Sequence, residues 1–411
     1  MTGELVDLVA RWIHVIAGIM WVGNSLLFNW LDRSLRPSEN EKRPERREGP
    51  ALPQTGGSVG TIWLLHSGGF YFVEKTLLAG ERLPQPLHWF KWQAYSTWLS
   101  GMVLLIVLYW LGSRAAMTDP SIAAISHGQA ALIGVGSIAI GWLLYESMNR
   151  FVAPRAAVTS AVVWVAGLVV ISIALTRLLS GRAAFLHVGA MLGTIMAGNV
   201  FFTIVPSQRE LVASVERGQS GRLAELSARA KRVSIHNNYF AFPVIALMVS
   251  NHFPSLYGIR SSWLALLVLI AGGSAVRHAL NLRFTQPMWR PVLGLTMAAT
   301  VLFLWSVLEF GNGSAPVVEA DAKAPVSFAE ARRVIDRRCA ACHSATPSDL
   351  TFGAGPAGVL FDTPEQILVR VPRIKERAVV TRTMPPANKT NITEAERSLL
   401  GRWIAQGAIG R

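Results

Sequence analysis

Cys339 and Cys342, the two cysteines of the chain, stand three residues apart, and His343 follows the second. Two thiols at this spacing with a histidine directly after them suit covalent attachment of a c-type haem: both sulfurs add to the vinyl groups and the imidazole reaches the iron from one face. Other uses of neighbouring cysteines fit less well. A disulfide would close a very tight loop, structural zinc would need two further Cys or His ligands nearby, and a thioredoxin-like motif would need a βαβ pattern around it. The second axial ligand is expected downstream at Met384, in the stretch RTMPPANKT. Pro385 and Pro386 restrict the backbone there and hold a thioether without a regular element, although filling a gap is the commoner role of a loop methionine.

The elements that must carry this chemistry are mostly apolar. Of 411 residues, 51% are hydrophobic and only 16% charged, which is the composition of a polytopic membrane protein. Runs of about 20 residues, long enough to cross a bilayer, can be placed at 6–31, 92–112, 128–147, 156–176, 183–205, 232–251, 261–282 and 291–310, eight in all. The first is expected to stay in the mature chain, because Glu4 and Asp7 precede it where a signal peptide has basic residues. The net charge of +14 follows topology: Arg33, Arg36, Lys42, Arg43, Arg46 and Arg47 follow the first run, Arg150 and Arg155 the third, Arg209 to Arg232 the fifth, and Arg283 and Arg290 the seventh. The positive-inside rule puts these connections in the cytoplasm and both chain ends on the periplasmic side. No nucleic-acid partner is needed to explain the charge.

The expected fold is all-α. Residues 1–310 read as a bundle of eight transmembrane helices, 311–325 as a Gly- and Pro-containing linker, and 326–411 as a small soluble domain. A domain of about 85 residues makes a poor core on size alone, so a bound haem would help it fold. Thr393 and Glu396 have capping-box spacing before Leu399, Leu400, Trp403 and Ile404, which predicts a closing helix. Attachment helix, Met-Pro-Pro loop and closing helix together resemble a small class I cytochrome c. Periplasmic haem attachment, which that resemblance implies, agrees with the side the charges assign to the C-terminus.

Ionisable residues at membrane depth are costly and suggest a working site. His14 shares a helical face with Gly18, Trp21 and Ser25, and His187 with Met191, Thr194 and Gly198. The two histidines are candidates for axial ligation of a non-covalent haem b; the alternative is a hydrogen bond joining helices. His127 and His252 fall at span ends and read as solvated. On the cytoplasmic side, His236, Asn237 and Asn238 lie in SIHNNY, Arg277, His278 and Asn281 at the end of the seventh span, and His66 in LLHSGGFYFVEK, a stretch apolar enough to lie on the inner surface. Guanidinium, amides and imidazoles together suit a small planar anion rich in ring donors and acceptors, although capped helix ends facing water would use the same residues.

The stretches RWIHVIAGIMWVGNSLLFNWLD, HSGGFYFVEK, LHWFKWQAYSTWLSG, HVGAMLGTIMAGNVFFTIVPSQ, HNNYFAFPVIALMVSNHFP and RHALN resemble the bacterial membrane-bound urate hydroxylases that carry a C-terminal cytochrome c. Ser67 stands where a third glycine is expected. The resemblance implies a urate oxidase of the bacterial inner membrane that makes 5-hydroxyisourate in purine breakdown. Electrons would leave through the cytochrome domain to a soluble cytochrome c or terminal oxidase. On this reading Arg277, Asn237, Asn238 and Asn281 hold urate, and His236, His278 or His66 acts as general base. A quinol-oxidising cytochrome b/c without purine chemistry is the alternative.

Overall fold

The computed structural model describes residues 2–35, 57–77, 83, 86–112, 114–219, 221–311, 325–349 and 355–409. The expected linker, apart from its first and last residues, and the bases Arg36, Lys42, Arg43, Arg46 and Arg47 lie outside the described residues. The chain is mostly helical. Seven helical segments among the described residues are long and apolar enough to cross a membrane: Leu5–Ser34, His127–Val152, Ala157–Leu178, Gly181–Glu216, Leu223–Ser250, Ser262–Leu282 and Trp289–Phe310. They are compatible with a membrane protein.

The second expected span is a helix, α2 (Lys91–Leu105), running into a π-helical turn, Ile106–Trp110. Its first half carries polar side chains, which keeps it outside that group of seven. Ser96, Thr97 and Ser100 return their hydroxyls to carbonyls four residues back, which is how a helix carries such groups in apolar surroundings.

Two compact units divide the chain. The first comprises Met1–Val103, Leu192–Phe242 and Ser274–Leu295; the second comprises Leu104–Met191, Pro243–Gly273 and Thr296–Arg411. Within the first, α1 (Thr2–Ser34) is followed by two antiparallel strands, β1 (Gly57–His66) and β2 (Gly69–Leu77). Trp63 pairs with Phe72, Leu64 with Tyr71 and His66 with Gly69. This hairpin corrects the all-α expectation. Aromatic and β-branched residues on either side of a Ser-Gly turn favour strands, and apolar side chains on both faces conceal the two-residue period. Ser67 and Gly68 both take positive φ, 50° and 77°, the left-handed pair that a two-residue hairpin turn requires. A glycine would adopt the Ser67 conformation without steric cost, which accounts for the expectation of one there. Lys75 of β2 and Lys231 both pair with Asp32 near the end of α1, Lys231 at 3.2 Å.

The second unit holds α3 (His127–Ser147) packed against α4 (Ala157–Leu178), with Tyr145 and Trp164 ring centroids 5.5 Å apart. Both carry the chain through sequences that are apolar nearly all round, as lipid-facing helices are. The unit also contains the C-terminal segment from Thr296 onward. There α10 (Phe328–Arg338) and α11 (Glu394–Ala405) each begin with a reciprocal capping box, Ser327 with Glu330 and Thr393 with Glu396. Ile335, Phe361, Ile367, Leu400 and Trp403 form their shared core; fully burying such a side chain contributes about 1.5–3 kcal/mol.

Candidate functional site

Helix α7 (Leu223–Ser250) carries Asn237 and Asn238 side by side, and neighbouring positions on a helix point about 100° apart. They therefore serve different partners. Asn237 turns to α5 (Gly181–Gly198) and the π-helical turn after it, Asn199–Ile204, which runs on into α6 (Val205–Glu216). Its carbonyl oxygen accepts from Asn199 Nδ2 at 2.8 Å, and its own Nδ2 donates to the Met196 carbonyl at 3.0 Å. Asn238 turns to α8 (Ser262–Leu282), where Oδ1 accepts from Arg277 Nε at 2.9 Å and from Asn281 Nδ2 at 3.0 Å. Asn29 of α1 donates to Asn281 Oδ1 at 3.3 Å. One turn along α7, Pro243 has no N–H to give to the Tyr239 carbonyl.

Asn237, Asn238, Arg277 and Asn281 are all buried, none more than 6% exposed. Two of their donors, Arg277 Nη2 and Asn238 Nδ2, are buried without a hydrogen-bond partner among the described residues. A buried guanidinium with an unused N–H and an adjacent amide N–H is costly unless an acceptor arrives. Arg277 also lies 5.5 Å from the centroid of the Phe242 ring, an apolar aromatic face beside the donors. The arrangement can hold a flat anion by two or more charge-assisted hydrogen bonds.

The structure joins three of the four residues expected to hold the substrate, Asn238, Arg277 and Asn281, by direct hydrogen bonds, while Asn237 beside them on α7 pairs with Asn199 and Met196 instead. Both ends of the Asn237 and Asn281 amides are engaged within the protein, while Arg277 and Asn238 keep donors to offer. Asn29 and Asn199 complete the network and went unnoticed in the sequence; the signal was a lone asparagine inside an apolar run. The three imidazoles are dispersed. His236 is half-buried, directly before Asn237 on α7. His278 is exposed, its Nδ1 within 2.8 Å of the Tyr239 hydroxyl and the two rings stacked. His66 is exposed beside the hairpin turn.

In the C-terminal segment, the end of α10 brings Cys339 and His343 onto consecutive turns: Cys339 N–H donates to the Ile335 carbonyl at 2.8 Å and His343 N–H to the Cys339 carbonyl at 2.9 Å. Both cysteines are free. Burial pushes the Cys339 thiol up to about 12 and raises Cys342 as well, so neither is a thiolate poised for disulfide exchange. His343 Nδ1 lies 2.9 Å from the Val359 carbonyl, the kind of anchor that would leave Nε2 to face a metal. Met384 is held at both backbone groups, its N–H donating to the Arg377 carbonyl at 2.9 Å and its carbonyl accepting from Arg397 Nη1 at 2.9 Å. This donor set fits a covalently attached haem.

The pair expected to hold a second haem does not fit. His187 is fully buried, and both ring nitrogens are engaged: Nδ1 lies 2.7 Å from the Ala183 carbonyl and Nε2 accepts from Trp110 Nε1 at 3.0 Å. Gly134 closes over the ring so tightly that a Cβ there would fall 2.5 Å from Nε2. No nitrogen remains for an iron, and the contacts are those of a histidine joining helices. His14, half-buried, has its own partners, with Nδ1 3.0 Å from the Thr97 carbonyl and 3.1 Å from Ser100 Oγ.

These helices define a mostly helical protein whose apolar segments are compatible with a membrane protein, with a buried amide–guanidinium cluster that keeps two donors without partners among the described residues. The family model described as urate oxidase N-terminal matches residues 1–308, and the chain belongs to that family. It is a urate oxidase-related protein. No curated protein and no solved structure matches the chain.

Proposed function

We propose that the chain is a membrane-bound urate hydroxylase that oxidises urate to 5-hydroxyisourate and passes the electrons through its own cytochrome c domain to the respiratory chain of a bacterial inner membrane. The observation that carries the reading is the pair of buried donors without acceptors, Arg277 Nη2 and Asn238 Nδ2, in a chain of this family. Urate at neutral pH is a planar monoanion edged with carbonyl oxygens and ring nitrogens, which supply those acceptors.

On this reading Arg277 and Asn238 bind the anion, Asn281 and Asn29 fix their orientation, and Asn237 with Asn199 ties α7 to the end of α5 and the turn after it. His236 is the strongest candidate for general base: it adjoins the cluster on α7, whereas His278 is drawn to Tyr239 and His66 lies at the hairpin turn. An imidazole near its working pKa can remove a ring proton, making the purine easier to oxidise. The balanced change is urate plus water to 5-hydroxyisourate, two protons and two electrons. A haem held by Cys339, Cys342, His343 and Met384 supplies one-electron redox chemistry, so a respiratory acceptor must withdraw the first electron before the second is passed on. No step is assigned to a second haem. Eight spans, with α9 (Trp289–Phe310) as the last, and a periplasmic C-terminal domain complete the proposed topology.

The test is anaerobic mixing of urate with purified, haem-loaded protein while recording the c-type absorption bands. Reduction is expected. Failure of urate to reduce the haem, with reduction by a quinol analogue instead, would replace this reading with that of a quinol-oxidising electron-transfer protein.

A further inference from the structure

The segment that presents Met384 does not stand free in the second unit. Gly258, which ends the short helix Pro254–Tyr257, lies directly against Thr381: a Cβ at Gly258 would fall 2.7 Å from Thr381 Cβ and 2.8 Å from the Thr381 carbonyl oxygen. A contact this close excludes any side chain larger than hydrogen unless one backbone moves. The short helix Arg114–Met117 packs against Pro386–Asn388, on the other side of Met384 in the chain. Met117 is fully buried and Thr381 nearly so. The receiving surface is itself fixed. Ser180 N–H donates to the Met117 carbonyl at 2.9 Å and Ser180 Oγ to the Ala116 carbonyl at 2.8 Å, tying Arg114–Met117 to the start of α5. The Tyr257 ring meets Phe185 of α5 edge-on at 6.3 Å.

From these contacts we propose that the cytochrome domain works docked through its Met384 loop, residues 381–388, on a built surface formed by Gly258 and Arg114–Met117, and that this contact is where electrons pass from the helical domain to the haem. The inference rests on the haem c assignment above. It makes Gly258 a positioning residue for electron transfer, and it obliges the external acceptor to use another face of the domain.

Two measurements on the full-length, haem-loaded protein in membranes test it. The double variant Gly258→Cys/Thr381→Cys is expected to form a disulfide under mild oxidation, since the Cβ atoms need only a small adjustment to reach bridging distance. It would be seen as helical and cytochrome fragments that remain joined after proteolysis between them and separate on reduction. Gly258→Leu is expected to slow urate-driven haem reduction at least tenfold, with urate affinity and the dithionite-reduced spectrum unchanged. Absence of the cross-link, or reduction of Gly258→Leu at the wild-type rate, overturns the proposal. A double-cysteine variant that cross-links, alongside a wild-type protein that urate does not reduce, would instead defeat the urate reading and leave the docking intact.

Discussion

Arg277 donates through Nε to the side-chain oxygen of Asn238 at 2.9 Å, and by doing so keeps Nη2 of the same guanidinium as a buried donor in search of an acceptor. Arg277→Ala is expected to weaken urate binding about 10- to 100-fold, the worth of one or two charge-assisted hydrogen bonds, while the haem spectrum stays as it was. Equilibrium binding under anaerobic conditions measures it. Unchanged affinity would remove Arg277 from the site.

Asn238 can be tested by charge at nearly constant shape. Asn238→Asp supplies Arg277 with a full counter-ion, removes the free amide donor and places a negative charge where an anion must sit. Binding is expected to fall further than in Asn238→Ala, because like-charge repulsion adds to the lost hydrogen bond. Equal affinities in the two variants would show that the substrate anion lies elsewhere.

His343→Ala and Met384→Ala are expected to abolish urate-driven electron exit while leaving urate affinity within twofold of wild type. The paired readouts are reduction of an added one-electron acceptor and equilibrium binding. Loss of binding in either variant would mean that the haem ligands and the urate site are not separable.

Acidified acetone releases non-covalent haem and leaves thioether-linked haem on the polypeptide. Because Trp110 and the Ala183 carbonyl occupy both nitrogens of His187, all haem is expected to remain with the protein. Release of a molar equivalent would require His187 to break from Trp110 and would restore it as an iron ligand.

Glu396 ties α11 to α10, accepting from Thr393 N–H at 2.8 Å and from Arg338 Nε at 3.0 and 3.1 Å. Burial pushes its carboxyl up, but these hydrogen bonds outweigh burial and hold it below the ordinary 4.5. A depressed carboxyl stabilises the fold above its unfolded value, so this contribution is complete above about pH 4.5 and lost as pH falls through the folded value. Glu396→Gln is expected to cost about 1–2 kcal/mol at neutral pH and to flatten the acid limb. Thermal unfolding followed at the haem band from pH 7 to 3 checks both.

Hydropathy made most of the helical architecture legible, because a span needs a run of apolar residues wherever it occurs. It could not display the hairpin, whose strands are apolar on both faces and so lack the alternation that marks a half-buried strand. Asn237, Asn238, Arg277 and Asn281 were recognisable as polar residues set in or beside apolar runs, where such groups are costly. The division between binding donors and supporting amides was not, since it depends on pairings such as Asn29 with Asn281, 252 residues apart. The partner of His187 was hidden for the same reason: the indole of Trp110 lies 77 residues away, and nothing local to either residue announces the pair.

Helix α1 has only 6% of its apolar window buried, yet His14, Asn24, Asn29 and Asp32 are each joined by hydrogen bonds or ion pairs to α2, α8, β2 or Lys231. It is fastened by polar clasps spaced along its length more than by greasy packing. Such clasps hold best where no water competes for them, so for the membrane-bound protein proposed above the choice of detergent will decide whether the first helix survives purification. A solubilising agent that lets water reach those four positions would loosen the helix from its end of the site before the rest of the protein unfolds.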